Sequence, residues 1–122
     1  MTIQELYAEI GGDYEQAVKV MRMDKLIDRY VRKLRNSNVG ELLAAAGETM
    51  DATQLFESAH AMKGVCANLG LNALASAAEV ITEEFRPGAA RKMSDDEVKT
   101  RLKDIGAMYQ KTVDGIKRYE EG

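Results

Sequence analysis

Apolar residues recur at helical spacing over four long stretches of this chain, and no stretch shows the alternation that is typical of a β-strand. Pro87 is the sole proline, so the sequence contains few barriers to helix formation. Aromatic residues make up only 6% of the chain and Trp is absent, which leaves aliphatic residues and methionine to build a core. The pattern predicts an all-α protein with long helices.

Three helix starts are indicated by capping-box spacing, in which a polar residue and an acid or amide three positions later satisfy free backbone N–H groups. The pairs are Thr2 with Glu5, Asp51 with Gln54, and Ser94 with Glu97. Two short helices are expected over residues 2–10 and 13–20. The glycines at residues 11–12 separate them, because glycine readily adopts the left-handed conformation that ends a helix.

The first long helix is predicted from an apolar stripe over residues 23–34. The stripe consists of Met23, Leu26, Ile27, Tyr30, Val31 and Leu34. The sequence leaves open whether residues 36–38 (NSN) bend or interrupt this helix before residues 39–46 continue it. Residues 47–50 are expected to be a connection.

The next two helices carry seams with steps of three and four residues. The first seam is Leu55, Ala59, Met62, Cys66 and Leu69, and the second is Leu71, Leu74, Ala78, Ile81 and Phe85. Gly70 lies between them, so the two helices should form an antiparallel hairpin. Residues 86–88 (RPG) end the second helix, because proline disfavours helical geometry in the residue before it.

A loop to about residue 93 precedes the last helix, which begins at Ser94 and is long enough to span the bundle. Its apolar face is Val98, Leu102, Ile105, Tyr109, Val113, Ile116 and Tyr119. A chain of 122 residues corresponds to one domain and one core. We therefore predict a single domain over residues 1–122, an antiparallel up-and-down four-helix bundle with short N-terminal helices.

Composition argues against several classes of function. A net charge of −3 with scattered basic residues does not favour binding to nucleic acid. No apolar run has the length of a membrane span, and the single cysteine, Cys66, cannot form an intrachain disulfide, so we expect no membrane association and a cytoplasmic setting. One histidine and one seam cysteine are too few ligands for a structural zinc site, and Cys66 is interpreted as a core residue.

His60 is the only histidine, and it follows the seam residue Ala59. A rotation of about 100° per residue places it near the edge of the buried face, where it can contact water. Side chains three and four positions later lie on the same face and tilt back towards the helix N-terminus. Lys63 and Gly64 are therefore predicted to lie over the imidazole ring.

Each neighbour of His60 suggests a different contribution. Lys63 offers an ammonium group that could hold phosphoryl oxygens. Gly64 is inside a helix, where glycine costs about 1 kcal/mol relative to alanine, and clearance over the ring would explain it. Ala67 has a small side chain that does not obstruct access to the same helix face. Phe56 is predicted to be an exposed apolar contact for a docking protein.

The block from His60 to Gly64 (HAMKG), followed by residues 67–70 (ANLG), resembles the signature of the histidine phosphotransfer family, H-x-x-K-G with a downstream glycine that closes the helix. The bundle layout across most of the chain is also similar to that family. The resemblance implies that His60 is the phosphoacceptor, Lys63 the supporting cation and Gly64 the clearance residue.

Two departures from the family pattern are present. Met62 stands where leucine is common, which is a conservative change in the core. Some members carry a glutamine or another polar side chain on the next helix that orients the histidine, and no matching glutamine is found here. Ser76 and Glu79 are possible substitutes.

The resemblance implies a phosphoryl carrier without its own kinase activity, relaying phosphoryl groups between aspartates of response-regulator receiver domains. A hybrid histidine kinase is a further possible partner. The chain should need no cofactor, because the receiver would supply Mg²⁺ and the charge clamp for transfer. It should act as a monomer, because one bundle accounts for all the predicted seams. Three alternatives remain open: the phosphoacceptor domain of a larger histidine kinase, a helical adaptor that docks receivers without phosphotransfer, and a purely structural bundle.

Overall fold

The computed structural model describes residues 1–122 and contains seven helices and no strand, so the prediction of an all-α fold is confirmed. The helices are α1 (Ile3–Ile10), α2 (Tyr14–Met21), α3 (Asp24–Arg35), α4 (Val39–Thr49), α5 (Ala52–Asn68), α6 (Asn72–Glu84) and α7 (Asp95–Glu121). Helices α5 and α6 form the most extensive helix pair, α4 packs on α5, and α7 packs on α6, α4, α3 and α1. None of these helices is both long and apolar enough to cross a membrane.

The three predicted helix starts carry the expected caps. Thr2 and Glu5 form a reciprocal capping box, whereas Asp51 and Ser94 each accept one bond, from the backbone N–H groups of Gln54 and Glu97. A fourth cap, which was not predicted, lies at Asp13, whose carboxylate accepts from the backbone N–H of Gln16. Because these capping bonds join residues three positions apart, the helix starts can be predicted from the sequence.

Residues 36–38 interrupt the predicted first long helix and divide it into α3 and α4. Two side chains in this segment bond to the last carbonyl groups of α3: the Asn36 amide donates to Arg32 O, and the Ser37 hydroxyl donates to Leu34 O at 2.8 Å. Polar side chains that satisfy backbone groups in this way compete with helix continuation. The sequence left this point open, and the tertiary structure resolves it.

The prediction that residues 47–50 form a connection is wrong, because α4 continues to Thr49. Gly47 permits close packing inside this helix: a Cβ atom there would lie 2.7 Å from Leu102 Cδ1 on α7. The helix instead ends at Met50, which adopts the left-handed conformation at φ 55°. Gly47 therefore lies inside α4, where the absence of a side chain accommodates α7.

Three members of the predicted stripe on α3 do not belong to the core, and one of them, Leu26, is only partly buried. Met23 precedes the helix in extended conformation and is 53% exposed, and Tyr30 is 37% exposed. Ile27, Val31 and Leu34 are buried as predicted. The apolar stripe is wider than the face that neighbouring helices cover.

One cluster of buried apolar residues contains members from all seven helices. Every residue of the two predicted seams on α5 and α6 belongs to it. The connection between these helices is held by the N-terminal segment, since the buried Tyr7 hydroxyl donates to Leu69 O at 2.6 Å and Asp13 N donates to Gly70 O at 2.8 Å. The α5–α6 hairpin is thus fixed at its closed end.

The connection from α6 to α7 covers residues 85–94, close to the predicted loop. The Glu84 carboxylate is buried at the end of α6 and accepts bonds from Lys92 N, Met93 N and the Arg91 guanidinium. The bond from Met93 N, together with those from Arg91 and Lys92 N, keeps the Glu84 pKa below its ordinary value. The loop has no helix or strand of its own, and its bonds to the Glu84 carboxylate hold it against the end of α6.

Candidate functional site

The five residues singled out from the sequence lie on one stripe of α5. His60 and Gly64 are exposed, and Phe56, Lys63 and Ala67 are partly buried. The preceding residue, Ala59, is fully buried, so His60 lies at the edge of the core as its helical position predicts. An exposed imidazole can meet a group that is carried by another protein.

The His60 ring stacks on the ring of Phe56, one helical turn earlier. The ring centroids are 5.7 Å apart and the planes differ by 7°. The Arg86 guanidinium also lies over the Phe56 ring, with its central carbon 5.4 Å from the centroid of that ring. Phe56 is therefore less exposed than the sequence suggested, and it supports the imidazole ring from below.

The Lys63 ammonium reaches across to a carboxylate on α6. Its Nζ atom is 3.1 Å from Glu79 Oε1. The His60 ring makes no hydrogen bond within the chain. Neither Ser76 nor Glu79 therefore orients the imidazole by a direct bond. The parallel Phe56 ring is the aromatic neighbour of the imidazole.

Gly64 has open space where a side chain would begin: no heavy atom lies within 4 Å of a Cβ built at this position. The helical glycines Gly40, Gly47 and Gly115 differ, because a Cβ on each would collide with Tyr109, Leu102 or Ile10. Packing within the chain explains those three glycines. It does not explain Gly64, where glycine leaves open space on the stripe that carries His60.

Two charged residues that the sequence did not indicate also belong to the site: Glu83 at the end of α6, and Arg86 just beyond it. Arg86 donates two bonds to the Glu83 carboxylate, at 2.7 and 3.0 Å. The Arg86 bonds are the largest cause of the lowered Glu83 pKa, and the positive charge of Lys63 also lowers it. The only local signal was the three-residue spacing of Glu83 and Arg86, and their proximity to His60 depends on how α6 packs on α5.

The immediate surroundings of the His60 ring thus contain two cations and two carboxylates. Lys63 pairs with Glu79, and Arg86 pairs with Glu83, so the formal charges cancel. All four side chains are about one third to one half exposed, which keeps each pair within reach of solvent and of a partner. The ring lies next to a compensated ionic cluster.

An apolar groove of about 420 Å³ begins beside the site, at Val65 on α5. Its lining comes from α2, α3, α4 and α5 and from the segment between α3 and α4. The lining residues are Val20, Met21, Leu26, Tyr30, Lys33, Leu34, Ser37, Val39, Val65, Asn68 and Leu69. Val20, Tyr30 and Val65 are large apolar side chains that remain exposed in it.

Other chemistry-bearing groups lie apart from this stripe. Burial raises the pKa of the Cys66 thiol to about 12, so it remains protonated in the core. No three side chains among His, Cys, Asp and Glu lie together in a group that could hold a metal ion. The arrangement on α5 can offer a neutral imidazole nitrogen as a nucleophile, with cations and an open approach beside it.

Comparison with known proteins gives one match. A family model described as Hpt domain matches residues 21–112, about three quarters of the chain. The match covers α3 to α6 and most of α7, and it contains all five stripe residues. No curated protein matches the chain, and no solved structure does.

Proposed function

This chain belongs to the Hpt domain family of two-component phosphorelays, and we propose that it relays phosphoryl groups between the aspartates of receiver domains through phosphohistidine at His60. The observation that carries the proposal is the exposed imidazole of the only histidine, with open space over Gly64 one turn later. A protein-borne aspartyl phosphate needs such an open approach. A histidine that served only the core would not need one.

In the proposed transfer, a neutral imidazole nitrogen of His60 attacks the phosphorus of an aspartyl phosphate on the donor receiver. The N–P bond forms, the bond from phosphorus to the aspartate oxygen breaks, and the aspartate leaves as a carboxylate. The other ring nitrogen keeps its proton, so no general base is required. The aspartate of a second receiver reverses these steps, with the imidazole as the leaving group.

The neighbours of His60 support this chemistry without taking part in bond making. Phe56 holds the plane of the ring by stacking, which reduces the number of orientations that the nucleophile samples. Gly64 and the small side chain of Ala67 keep the approach open. Lys63 supplies an ammonium group for the phosphoryl oxygens, and Mg²⁺ would be held by the receiver.

We propose the apolar groove as part of the surface that receives the receiver domain. It begins at Val65, directly after Gly64, and exposes apolar side chains from α2, α3 and α5. Burial of such a patch would hold a partner next to the imidazole, and Lys33 at its rim can add a contact to an acidic side chain. Phe56 and Ala67 would lie on the opposite border of the contact.

We further propose that residues 1–122 act as one phosphoryl-carrying domain without kinase activity. The chain has no glycine-rich nucleotide loop, whereas a kinase needs one or an equivalent phosphate-binding element. The alternative role is the phosphoacceptor part of a larger histidine kinase. The two roles share the chemistry at His60 and differ in the donor, which would be an aspartyl phosphate in one and an ATP-bound kinase domain in the other.

A transfer assay tests the proposal. The protein and its His60→Gln variant are mixed with a panel of receiver domains that carry ³²P on their aspartates, and label on each chain is followed over time. Label is expected on the wild type and none on His60→Gln. Binding without label across the panel would favour the adaptor role, and labelling only by a kinase domain with ATP would favour the alternative.

A further inference from the structure

Both cations near His60 are already held by carboxylates on α6. The Lys63 ammonium is 3.1 Å from Glu79, and the Arg86 guanidinium makes two bonds to Glu83. A phosphoryl group on the ring would add about 1.5 to 2 negative charges to this cluster at neutral pH. It would meet cations whose charge is already compensated.

A phosphoryl group on His60 would compete with Glu79 for the Lys63 ammonium. His60 and Lys63 are three residues apart on one face of α5, so the flexible Lys63 side chain can bring its ammonium within reach of the imidazole ring. Lys63 and Glu79 are 32% and 50% exposed, so their pairing is a surface ion pair that can exchange readily. Such pairs shift an equilibrium by about 1.5- to 5-fold.

We propose that Glu79 is a positioning residue that competes with the phosphoryl group for Lys63 and so weakens the hold of the site on phosphohistidine. The inference rests on the proposed function, because it requires His60 to accept a phosphoryl group. No covalent bond changes in this step: one ion pair is exchanged for another. The consequence is a phosphohistidine that remains a ready donor to the next receiver.

Glu79 fits this role better than Glu83 does. Glu83 is engaged by two bonds to Arg86, which in turn lies over the Phe56 ring, so its removal would also disturb the support of the imidazole. Glu79 makes a single ion pair, to Lys63, and its charge reaches Arg86 without a direct bond. Its substitution therefore frees the Lys63 ammonium and removes no direct bond of Arg86 or of the stacked rings.

The test uses the isolated full chain and needs no receiver. The protein is phosphorylated with phosphoramidate, and because it has a single histidine, one phosphohistidine signal is expected by ³¹P NMR. The pH midpoint of the phosphoryl group's last protonation and the half-life of the N–P bond are measured. The variants are Glu79→Gln, Lys63→Gln and the double variant. The charge-matched control is Glu48→Gln, because Glu48 is an exposed acid on α4 without an ion pair.

In Glu79→Gln the freed ammonium should stabilise the phosphoryl dianion. We expect the midpoint to fall by about 0.2 to 0.7 pH units and the half-life to rise by about 1.5- to 5-fold. Glu79→Gln should have less than half of this effect when Lys63 is already Gln. Glu48→Gln should match the wild type in both measurements.

Equal effects of Glu79→Gln in both backgrounds would overturn the proposal, because Glu79 would then act on the phosphoryl group directly. An unchanged midpoint and half-life in Glu79→Gln would also overturn it. A purely structural role would lower the unfolding temperature without moving the phosphorus midpoint. Failure of every receiver to transfer label to a chain that phosphoramidate phosphorylates would overturn the relay proposal and leave this result standing.

Discussion

Gly64 and Gly106 are two glycines in helix interiors at which an added Cβ would meet no atom within 4 Å. Gly64 lies one turn after His60, whereas Gly106 is exposed on α7. Both positions bear the entropic cost of glycine in a helix, and neither benefits from it through packing. The pair separates the effect of glycine on stability from its effect on access to the imidazole.

We predict that Gly64→Ala and Gly106→Ala each raise the free energy of unfolding by about 0.5–1 kcal/mol, because alanine restricts the unfolded chain and fits an open helix position. Only the Gly64 variants should slow phosphoryl transfer. Gly64→Gln, which places a longer side chain over the approach, should slow it more than Gly64→Ala. Urea unfolding and receiver-to-His60 transfer rates measure the two effects.

The role of Gly64 as the clearance residue would be wrong if Gly64→Gln transferred at the rate of the wild type while its helical content was unchanged. Gly106→Gln serves as the matched control. A loss of transfer in that variant as well would indicate a general effect on folding or solubility. Agreement of both Ala variants in stability would show that glycine has the same effect on the free energy of unfolding at the two sites.

At the scale of the elements, the turn between α5 and α6 determines how the second helix presents its charges to the first. Gly70 adopts φ 70°, and a Cβ there would lie 2.2 Å from the backbone oxygen of Asp13. Gly11 adopts a similar φ of 71° with no atom near its Cβ position. Two glycines thus share one backbone conformation and differ only in whether another element touches them.

We predict that Gly11→Ala lowers the free energy of unfolding by about 1–2 kcal/mol, the cost of a left-handed alanine. Gly70→Ala should cost more, about 3 kcal/mol or above, because the backbone of the α1–α2 connection must also move. Thermal and urea unfolding measure both variants. Equal losses would mean that the turn shifts freely and that contact with Asp13 contributes nothing to the hairpin.

For the whole molecule, α1 lies outside the region that matches the family model, which begins at residue 21. Its fully buried Leu6 belongs to the same core cluster as the seams of α5 and α6. Gly115 allows α1 to approach α7, since a Cβ there would be 2.5 Å from Ile10 Cγ2, and Glu9 pairs with Arg118. These contacts support the proposal that residues 1–122 form one domain.

We therefore predict that Leu6→Ala lowers the free energy of unfolding by about 2–5 kcal/mol, the usual cost of a cavity in a core. The loss should appear as one shifted transition, monitored by circular dichroism and by tyrosine fluorescence. Phosphoryl transfer below the transition should be retained, because the stripe on α5 is not changed. A separate early transition of α1, with the remaining helices unaffected, would contradict the single-domain proposal.

Much of this protein was predictable because the relevant signals are local. Helix starts depend on a side chain that bonds a backbone group three residues away, as at Asp51 and Ser94. The seams of α5 and α6 follow from helical periodicity alone. The stripe with His60 and Gly64 was visible for the same reason, since residues on one helix face keep fixed relative positions before any packing occurs.

Tertiary structure decided what depends on contacts between elements. Gly47 was expected to lie in a connection, but it lies inside α4, where it accommodates Leu102, 55 residues away in the chain. Lys63 is paired with Glu79, and Arg86 lies over Phe56, only because α6 packs antiparallel on α5. The sequence by itself determined which side chains share the face of the imidazole; the packing of two helices determined the charges that surround it, since ion pairs form across distances that local periodicity does not encode.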